Sequence, residues 1–327
     1  MPPSLTVRAE TWPLKGAFAI SRAAKTAVQV VVAEIADGHI VGRGEAVPYP
    51  RYAETVAGVV AAIEAQAVAV AAGMDRAGLA SALPAGAARC ALDCALWDLA
   101  AKREGARAWT LAGVSETQPS PTFDTLSLDA PEAMGRAAAA LRDWGALKVK
   151  LGSASVVESM RAVRKAAPAA RLIVDPNEAW TIEDLRAHSG ALADLGVEMI
   201  EQPLSADADE ALSGFASPVP LCADESCHTA RDLSALAGRY DLVSIKLNKT
   251  GGLTEALRLA DAARAAGFGI MVSCMVSTSL ALAPAMLLAE GAAIVDLDGP
   301  RWLTRDRDHG LFYEGGRVHP PTPELWG

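Results

Sequence analysis

The stretch ALKVKLGSASVVESMRAVRKAAPAARLIVDPN (146–177) contains two short apolar runs with an amphipathic segment between them. Val156, Met160 and Val163 recur at the spacing of one helix face, and residues 172–174 open the second run. Each apolar run ends in charged or polar residues. A strand, a helix and a second strand in this order predict a parallel βαβ unit.

The same unit recurs along most of the chain. Counted from Lys150, the polar ends of successive apolar runs lie 25, 26, 23, 22, 27 and 23 residues apart. The residues at these ends are Asp124, Thr125, Lys148, Lys150, Asp175, Asn177, Glu201, Asp224, Glu225, Lys246, Ser273, Cys274, Asp296 and Asp298. Eight such units predict a closed (β/α)₈ barrel with its active site at the carboxyl ends of the strands. An open doubly wound sheet is the alternative, but no GxGxxG follows the first strand.

The N-terminal third of the chain lacks this alternation. Residues 28–35 and 39–46 are rich in strand-forming side chains and flank an Asp37-Gly38 turn signal, which predicts a hairpin. Two Ala-rich helical stretches follow, at about 52–72 and 85–104. Strands followed by helices predict a small α+β domain.

These patterns divide the chain into three parts. We expect an α+β domain over residues 1–115, a barrel with the active site over 116–300, and a C-terminal segment over 301–327. The last segment is Pro-rich and irregular, and we expect it to pack back on the first domain.

The composition argues against several classes of protein. The 327 residues are 51% hydrophobic and 21% charged, which supplies a large core and argues against disorder. The net charge of −9 argues against a nucleic-acid binder, which needs a basic face for phosphates. The N-terminal sequence predicts no signal peptide, and the Ala-rich runs are too polar to span a membrane. The five cysteines predict buried thiols, and we expect a cytoplasmic protein.

Three consecutive barrel strands are predicted to end in carboxylates, namely Asp175, Glu201 and Asp224. Three carboxylates converging in a dry barrel mouth repel one another unless a cation neutralises them. A site with oxygen ligands and no His or Cys favours a hard cation, so we expect one Mg²⁺ per subunit, with Mn²⁺ as the substitute. The alternative is that each acid caps a helix or carries a surface charge.

Three lysines at predicted strand ends are candidates for a catalytic role. Lys148 and Lys150 lie two residues apart on one strand, so both point inward if either does. Lys246 ends the strand opposite theirs in an eight-stranded ring. We expect a nearby divalent cation and a second ammonium to lower the lysine pKa, which would provide bases on opposite faces of one carbon. Solvated lysines are the alternative; Lys249 fits as a loop cation, although it stays a candidate for the base in place of Lys246.

The last predicted strand ends in Asp296-Leu-Asp298, which places two further inward-facing acids across the ring from Glu201. Two unpaired carboxylates at this position suit an organic cation such as an α-ammonium group. A second metal site and helix capping are the alternatives.

Together, several motifs carry a resemblance to a known family. They are KVKLG (148–152), VDPNEAW (174–180), EQPL (201–204), ADESCHT (223–229), IKLNKTGGLTEAL (245–257) and DLDGP (296–300), with ALWDLAAK (95–102) nearer the amino terminus. Nearly the whole chain resembles the muconate-lactonising subgroup of the enolase superfamily, and within it the dipeptide epimerases. The resemblance implies an α+β capping domain that closes over a (β/α)₇β barrel of the TIM type, in which the eighth helix is replaced.

The resemblance also implies roles for individual residues. These are Mg²⁺ ligands at Asp175, Glu201 and Asp224, acid/base residues at Lys150 and Lys246, a tuning lysine at Lys148, and supporting residues at Asn177 and Glu225. In this family a lysine base works beside a Mg²⁺-stabilised enediolate.

For the substrate, the resemblance implies that Asp296 and Asp298 hold the amino terminus of a dipeptide. We expect Thr125, at the end of the first barrel strand, to bind the substrate as well. A flexible loop, AFAISRAAKT (17–26), is expected to supply the cation for a glutamyl side chain. Arg22 is the first candidate and Lys25 the alternative. Leu280 stands where we expect an arginine in close relatives, a departure that bears on side-chain specificity and not on the type of reaction.

We therefore expect an Mg²⁺-dependent isomerase that epimerises a dipeptide of the L-Ala-D/L-Glu kind, by 1,1-proton transfer at the α-carbon of its C-terminal residue. Recycling of cell-wall (murein) peptides is the expected role, with no nucleic-acid or membrane partner and a homo-oligomer left open. The alternatives within the superfamily are o-succinylbenzoate synthase, muconate cycloisomerase and N-acylamino-acid racemase. A Schiff-base aldolase is the rival from another enzyme class, which borohydride trapping would reveal. A metal-stabilised binding protein is the non-enzymatic rival, and it leaves the opposed lysines without a purpose.

Overall fold

The structure is a computed structural model and describes residues 2–327. The N-terminal part contains β1 (Ser4–Ile20), β2 (Ala23–Asp37), β3 (Ile40–Ala46), α1 (Val56–Glu64), α2 (Ala67–Ala71), α3 (Arg76–Ala82), α4 (Ala87–Glu104) and α5 (Ala108–Ala112). The rest of the chain contains β4 (Ser120–Pro121), β5 (Asp124–Leu126), α6 (Pro131–Ala140), β6 (Ala146–Lys150), α7 (Val156–Ala166), β7 (Arg171–Asp175), α8 (Ile182–Asp194), β8 (Val197–Glu201), β9 (Leu221–Ala223), α9 (Leu233–Leu236), β10 (Leu242–Ile245), α10 (Leu247–Thr250), α11 (Leu253–Ala265), β11 (Gly269–Ser273), α12 (Ser279–Leu282), β12 (Ile294–Asp296), β13 (Tyr313–Glu314) and β14 (Arg317–Val318).

Strands β5 to β12 form one parallel eight-stranded sheet in chain order. The two outer strands approach each other, because the Phe123 N–H, just before β5, donates to the Val295 carbonyl of β12 at 3.0 Å. The sheet is therefore a nearly closed barrel. The predicted fold class, an α/β barrel with an N-terminal α+β domain, is confirmed.

One end of the barrel interior is filled by an apolar layer. Each strand, or the residue just before it, contributes one side chain, and these are Phe123, Ala146, Ile173, Met199, Cys222, Leu242, Met271 and Ile294. Their exposure is at most 9%, so this end of the barrel is a packed core and not a pore. The polar side chains of the barrel interior lie at the other end.

The barrel repeat differs from its prediction between β8 and β9. This connection contains a 3₁₀ turn, Asp209–Leu212, where the repeat predicts an amphipathic helix. Gly214, Pro218 and Pro220 follow the turn. Proline lacks the N–H that a helix needs and glycine disfavours a helix interior, so the connection stays irregular.

The N-terminal sheet has the antiparallel order β1–β2–β3. The predicted hairpin is present, with Asp37 paired to Ile40 and Gly38 at φ +61° in the turn. Helix α4 packs on β3 so closely that a Cβ at Gly42 or Gly44 would collide with the helix backbone. The predicted helix at 52–72 is two shorter helices, and the 17-residue strand β1 was not predicted.

The segment 17–26, expected to be a flexible loop, is a paired hairpin. Phe18 lies opposite Lys25 and Ile20 opposite Ala23, with only Ser21 and Arg22 between β1 and β2. The register shifts between Pro13 and Phe18, where the pairing is interrupted. The hairpin therefore extends the N-terminal sheet toward the barrel.

The C-terminal segment contacts α4 and the residues that follow it. The Trp326 indole N–H donates to the Cys94 carbonyl at 3.0 Å, and the Gly327 N–H donates to the Asp98 carboxylate at 2.8 Å. The Ala108 N–H donates to the Gly327 carbonyl at 3.0 Å. The domain boundaries at residues 115 and 300 stay predictions. None of the helices within residues 2–327 has both the length and the apolar character needed to cross a membrane.

Candidate active site

A polar layer lies two residues beyond the apolar layer, on each barrel strand or directly after it. Its members, all buried, are Thr125, Lys148, Asp175, Glu201, Asp224, Ser244, Ser273 and Asp296. Lys150, Lys246 and Asp298 follow after another two positions and are also buried. Because side chains alternate along a strand, the parity that places the apolar layer inside also places these residues inside.

Lys148 lies among carboxylates from three other strands. Its Nζ is 2.6 Å from Glu201 Oε2, 2.8 Å from Asp296 Oδ2 and 3.2 Å from Asp175 Oδ2. Burial lowers the pKa of Lys148, but these carboxylates outweigh burial and hold the pKa well above its usual range. Lys148 is therefore a fixed positive charge at the centre of the layer.

Lys150 and Lys246 approach the same cavity from different strands. Lys150 Nζ donates to Asp175 Oδ2 at 2.6 Å, and Lys246 Nζ donates to Asp224 Oδ2 at 2.5 Å. Both lysines line one cavity. Lys150 ends β6 and Lys246 directly follows β10, and these strands face each other in an eight-stranded ring. The structure thus brings the two predicted acid/base lysines to opposite walls of one cavity.

The predicted lowering of a lysine pKa requires a bound divalent cation and stays a prediction. Burial lowers the pKa of Lys246, but Asp224 and Glu201 outweigh burial and raise it well above its usual range. The expectation assumed a divalent cation between carboxylates and lysines. Here the ammonium groups contact the carboxylates directly, and each favours the charged form of the other.

Lys249 does not face solvent as a loop cation, so that interpretation is wrong. Its side chain is fully buried, and its Nζ donates to Asp224 Oδ1 at 2.7 Å and to the Ser244 carbonyl at 3.0 Å. It also contacts the Asp224 carbonyl. Lys249 therefore holds Asp224 from the side opposite Lys246 and does not line the cavity.

The three predicted metal ligands differ in how they are neutralised. Burial raises the pKa of Asp175, but Lys150 and Lys148 outweigh it and lower the pKa to about 2. Asp224 is likewise desolvated, and Lys246 and Lys249 hold its pKa well below the usual range. Burial and the neighbouring Asp175 raise the pKa of Glu201 to about 7.

The donor set fits a hard cation, although it is not arranged around a common point in this structure. Within residues 2–327, no three His, Cys, Asp or Glu side chains are grouped as metal ligands, because lysines lie between the carboxylates. Glu201 Oε1 is buried without a hydrogen bond, as is Asn177 Oδ1, whereas Glu201 Oε2 is paired with Lys148. Buried carboxylate oxygens without hydrogen-bond donors suit Mg²⁺ or Mn²⁺.

Asn177 and Glu225 line the same cavity, close to the predicted ligands Asp175 and Asp224 along the chain. The Asn177 N–H donates to Asp175 Oδ1 at 2.8 Å, which orients that carboxylate. Glu225 directly follows Asp224, and its Oε1 is 2.7 Å from Arg22 Nη2. Burial raises the pKa of Glu225 to about 7, and Asp224 adds to the shift.

Asp296 and Asp298 line the cavity together with Thr125. Asp296 is not unpaired, because its Oδ2 accepts the Lys148 hydrogen bond, but its buried Oδ1 has no hydrogen-bond partner. Asp298 Oδ2 accepts hydrogen bonds from the Thr125 N–H at 2.8 Å and from the Trp302 indole at 3.3 Å. Burial, and then Asp296, raise the pKa of Asp298 to about 7.

The two candidate cations of the hairpin take different positions. Lys25 lines the cavity and has no salt bridge or hydrogen bond to an acidic side chain of residues 2–327. Burial and the nearby Lys150 lower the pKa of Lys25 to about 8. Arg22 does not line the cavity, because Glu178 and Glu225 hold its guanidinium at 2.7 Å each.

The sequence did not reveal several residues of the cavity wall. Tyr49 and Tyr52 line it from the N-terminal part, and Phe18, Met275 and Val276 add an apolar wall. The tyrosines lie in VPYPRY (47–52), a run of proline and aromatic residues after β3, and that local pattern was their only signal. Leu280 is fully buried and does not line the cavity.

Comparison with known proteins defines the class. The family model "Enolase C-terminal domain-like" matches residues 132–324, and the model "Mandelate racemase / muconate lactonizing enzyme, N-terminal domain" matches residues 3–113. The chain belongs to the enolase superfamily, in its mandelate racemase and muconate lactonizing enzyme family. The resemblance inferred from the strand-end motifs is confirmed.

Individual members of this family are also similar to the chain over nearly its whole length. The chain is 48% identical to an L-Ala-D/L-Glu epimerase from Escherichia coli (strain K12), over 95% of this chain and 97% of that protein. It is 47% identical to an N-acetyl-D-glutamate racemase from Pseudoalteromonas sp, over 91% and 95% of the two chains. It is also similar to an enolase family member from Agrobacterium tumefaciens with homology to dipeptide epimerases, with 48% identity, full coverage of both chains and a TM-score of 0.98. That structure holds sodium and L-Ala-L-Glu. The prediction of an isomerase that acts on amino-acid derivatives is confirmed.

Proposed function

We propose that this chain epimerises dipeptides at the α-carbon of their C-terminal residue, with L-Ala-L-Glu and L-Ala-D-Glu as its preferred pair. The observation that carries the proposal is the position of Lys150 and Lys246 on opposite walls of one cavity. An epimerase needs a proton acceptor on one face of the carbon and a proton donor on the other. Each lysine takes one of these roles, and the roles exchange when the reaction runs in reverse.

The metal ligands in this proposal are Asp175, Glu201 and Asp224. When bound there, Mg²⁺ supplies charge stabilisation for the enolate that forms next to the substrate carboxylate. Lys148 holds its positive charge beside these carboxylates, and the Asn177 backbone N–H orients Asp175. Mn²⁺ is the substitute, with one ion per subunit.

Asp296 and Asp298 are the proposed site for the free amino group of the dipeptide. The Asp296 Oδ1 atom is buried without a hydrogen-bond partner, so it can accept from a substrate ammonium. Burial, and then repulsion from Asp296, raise the pKa of Asp298, and an ammonium group neutralises that repulsion. The substrates of o-succinylbenzoate synthase and muconate cycloisomerase carry no such cation.

Lys25 is the proposed partner of the glutamyl side-chain carboxylate. Of the two hairpin cations that the sequence offered, it lines the cavity, and no acidic side chain of residues 2–327 pairs with it. Because Glu178 and Glu225 already neutralise Arg22, Arg22 is no longer the first candidate.

An N-acylamino-acid racemase is the second candidate, because one relative with 47% identity is an N-acetyl-D-glutamate racemase. The same lysines and metal ligands would serve that reaction. The acylated amino group carries no charge, so Asp298 would then work in its protonated form, which a pKa of about 7 permits.

Recycling of cell-wall peptides in the cytoplasm is the proposed role. Five free thiols support a reducing compartment, since four are buried and one is partly buried without a disulfide. The substrate is a dipeptide of the kind that degradation of the cell wall releases.

A substrate panel tests the proposed function. The enzyme is assayed with Mg²⁺ on L-Ala-L-Glu, N-acetyl-L-Glu and L-Glu, with and without chelator. We expect the highest kcat/KM for the dipeptide, loss of turnover in chelator, and recovery when Mg²⁺ is added back. A higher kcat/KM for N-acetyl-L-Glu would establish the racemase instead, and full turnover in chelator would overturn the metal assignment.

A further inference from the structure

Arg22, at the tip of the β1–β2 hairpin, contacts the barrel and not the cavity. Its Nη1 donates to the Asn177 carbonyl at 2.6 Å and to Glu178 Oε2 at 2.7 Å, while its Nη2 donates to Glu225 Oε1 at 2.7 Å. The Arg22 side chain is 29% exposed, whereas those of Glu178 and Glu225 are 6% and 2% exposed. The guanidinium therefore covers two nearly buried acids from the solvent side.

The hairpin reaches across the barrel mouth. Near its tip, the Ala19 N–H donates to Ser127 Oγ at 2.7 Å and the Ala19 carbonyl accepts from the Leu128 N–H at 3.0 Å. Ser127 and Leu128 follow β5, whereas Glu225 follows β9, the strand opposite β5 in the ring. The hairpin is thus attached to two opposite sides of the mouth, and its own residues form part of the cavity wall.

The barrel side of this contact is rigidly built. Asn177 and Glu178 both have positive φ, +48° and +65°, a conformation that costs free energy in a residue with a side chain. Glu178 is also held by Arg51, whose Nε and Nη2 donate to it at 2.9 and 2.8 Å, and by the Ala206 N–H at 2.9 Å. Glu178 is therefore held by contacts other than the one with Arg22.

We propose that Arg22 is a positioning residue that fastens the β1–β2 hairpin over the substrate cavity, with Glu178 as its fixed partner on the barrel. The arginine touches no substrate atom and acts through the closed hairpin. The expected effect of Arg22 on dipeptide kinetics rests on the proposed dipeptide epimerase function, whereas the closure of the hairpin by Arg22 does not. If fewer molecules are closed, the apparent affinity for every dipeptide falls by the same factor.

This role is distinguishable from direct recognition of the substrate side chain. A fastening residue raises KM equally for L-Ala-L-Glu and for L-Ala-L-Gln, which has nearly the same shape but no side-chain charge. A residue that binds the glutamyl carboxylate raises KM for L-Ala-L-Glu alone. The Arg22→Gln variant, compared on these two dipeptides, separates the two roles.

The experiment combines this comparison with hydrogen–deuterium exchange in the full-length protein without substrate. The reporter is the Leu128 amide, because its partner is the Ala19 carbonyl of the hairpin and it is exposed when the hairpin lifts. We expect Arg22→Gln to speed this exchange roughly tenfold, as for the loss of a charge-assisted hydrogen bond between partly buried partners. Glu178→Gln should act in the same direction, and the double variant should add less than the sum of the two.

Two further variants serve as controls. Lys15→Gln removes the same charge from an exposed position on β1 and should leave the Leu128 exchange rate and both KM values within twofold of wild type. Arg22→Lys keeps the charge but can contact only one of the two acids at a time, so it should recover part of the protection.

The kinetic result expected for Arg22→Gln is a KM that rises roughly tenfold for both dipeptides, with kcat within about threefold of wild type.

The outcomes separate the two proposals. Unchanged Leu128 exchange in Arg22→Gln would overturn the fastening role, whatever the enzyme turns over. A loss confined to L-Ala-L-Glu would also overturn it and return Arg22 to the substrate site. If wild type turns over neither dipeptide, the proposed function fails, but faster exchange in Arg22→Gln and not in Lys15→Gln would still support closure by Arg22.

Discussion

The two ends of the barrel interior are made from the same eight strands and have opposite chemistry. On β8, Met199 belongs to the apolar layer and Glu201, two residues later, belongs to the polar layer. On β7, likewise, Ile173 belongs to the apolar layer and Asp175 belongs to the polar layer. One layer removes apolar surface from water, whereas the other buries charges that must neutralise one another.

This difference indicates which end stabilises the fold and which end costs stability. Buried apolar side chains contribute through the hydrophobic effect and close packing. The buried charges of the mouth are paired, yet a buried ion pair is seldom better for stability than an apolar pair of the same shape. The charged layer is therefore retained for what it does, and changes in the two layers should affect different properties.

The largest expected effect is the loss of activity when a mouth carboxylate is neutralised. Glu201→Gln should lower kcat/KM by about 10³-fold or more, because the enolate loses electrostatic stabilisation. The unfolding free energy should stay close to that of wild type, since the pKa of Glu201, raised to about 7, shows that its charge is costly when buried. Steady-state kinetics and urea unfolding measure the two quantities. Retained activity would remove Glu201 from the metal site.

The matched change in the apolar layer should lower stability and leave activity nearly unchanged. Met199→Ala, two residues earlier on the same strand, should lower the unfolding free energy by about 2–5 kcal/mol, because it leaves a cavity in a packed core. The kcat of the folded variant should remain within about threefold of wild type. An activity loss as large as that of Glu201→Gln, without loss of stability, would contradict this division between the layers.

Much of this contrast follows from the sequence. The regular spacing of strand ends and the alternation of side chains predicted that Lys148, Lys150, Asp175 and Glu201 share one interior. The ion pairs inside the mouth could not be predicted, because they depend on which long side chain reaches which acid in three dimensions. Lys249 is an example, since its position after β10 suggested a loop cation, but its side chain turns inward to Asp224.

The hairpin illustrates a second limit of the sequence. Arg22 and Lys25 are three residues apart and equally basic, and nothing local distinguishes their partners. The structure separates them because Glu178 and Glu225, more than 150 residues away along the chain, lie beneath Arg22. Pairing with β2 also extends β1 to Ile20, where the sequence suggested a loop.

A smaller effect is expected at the opposite wall of the mouth. Asp298→Asn should lower kcat/KM for L-Ala-L-Glu by roughly 10- to 100-fold, the value of one or two charge-assisted hydrogen bonds to the substrate ammonium. N-acetylation of the dipeptide should harm wild type far more than the variant. An equal loss in both proteins would show that Asp298 does not bind the amino group.

The same variant should change the pH dependence of stability. Because the folded-state pKa of Asp298 is raised to about 7, its contribution to stability is present at low pH and is lost as the pH rises from about 4 to about 7. The unfolding free energy of Asp298→Asn, relative to wild type, should therefore increase by roughly 2–3 kcal/mol between pH 5 and pH 8 in metal-free protein. Urea unfolding at both pH values measures the difference, and a pH-independent difference would contradict it.

The smallest effect is a change in selectivity at the cavity edge. Lys25→Met should lower kcat/KM for L-Ala-L-Glu about tenfold relative to L-Ala-L-Gln, because one surface-proximal ion pair is lost. In wild type, the ratio of the two kcat/KM values should fall as the pH rises through about 8, where Lys25 loses its proton. A ratio that is the same in wild type and Lys25→Met at pH 7 would exclude this contact.

The most direct test of the account is proton exchange at the substrate α-carbon, followed by NMR in D₂O with Lys150→Ala and Lys246→Ala. Neither variant should epimerise the dipeptide, because each lacks the proton acceptor or donor on one face of the carbon. Each should still exchange the α-proton of one diastereomer only, and the two variants should exchange opposite diastereomers. If both variants exchange both diastereomers, or the same one, the two lysines are not bases on opposite faces of the carbon.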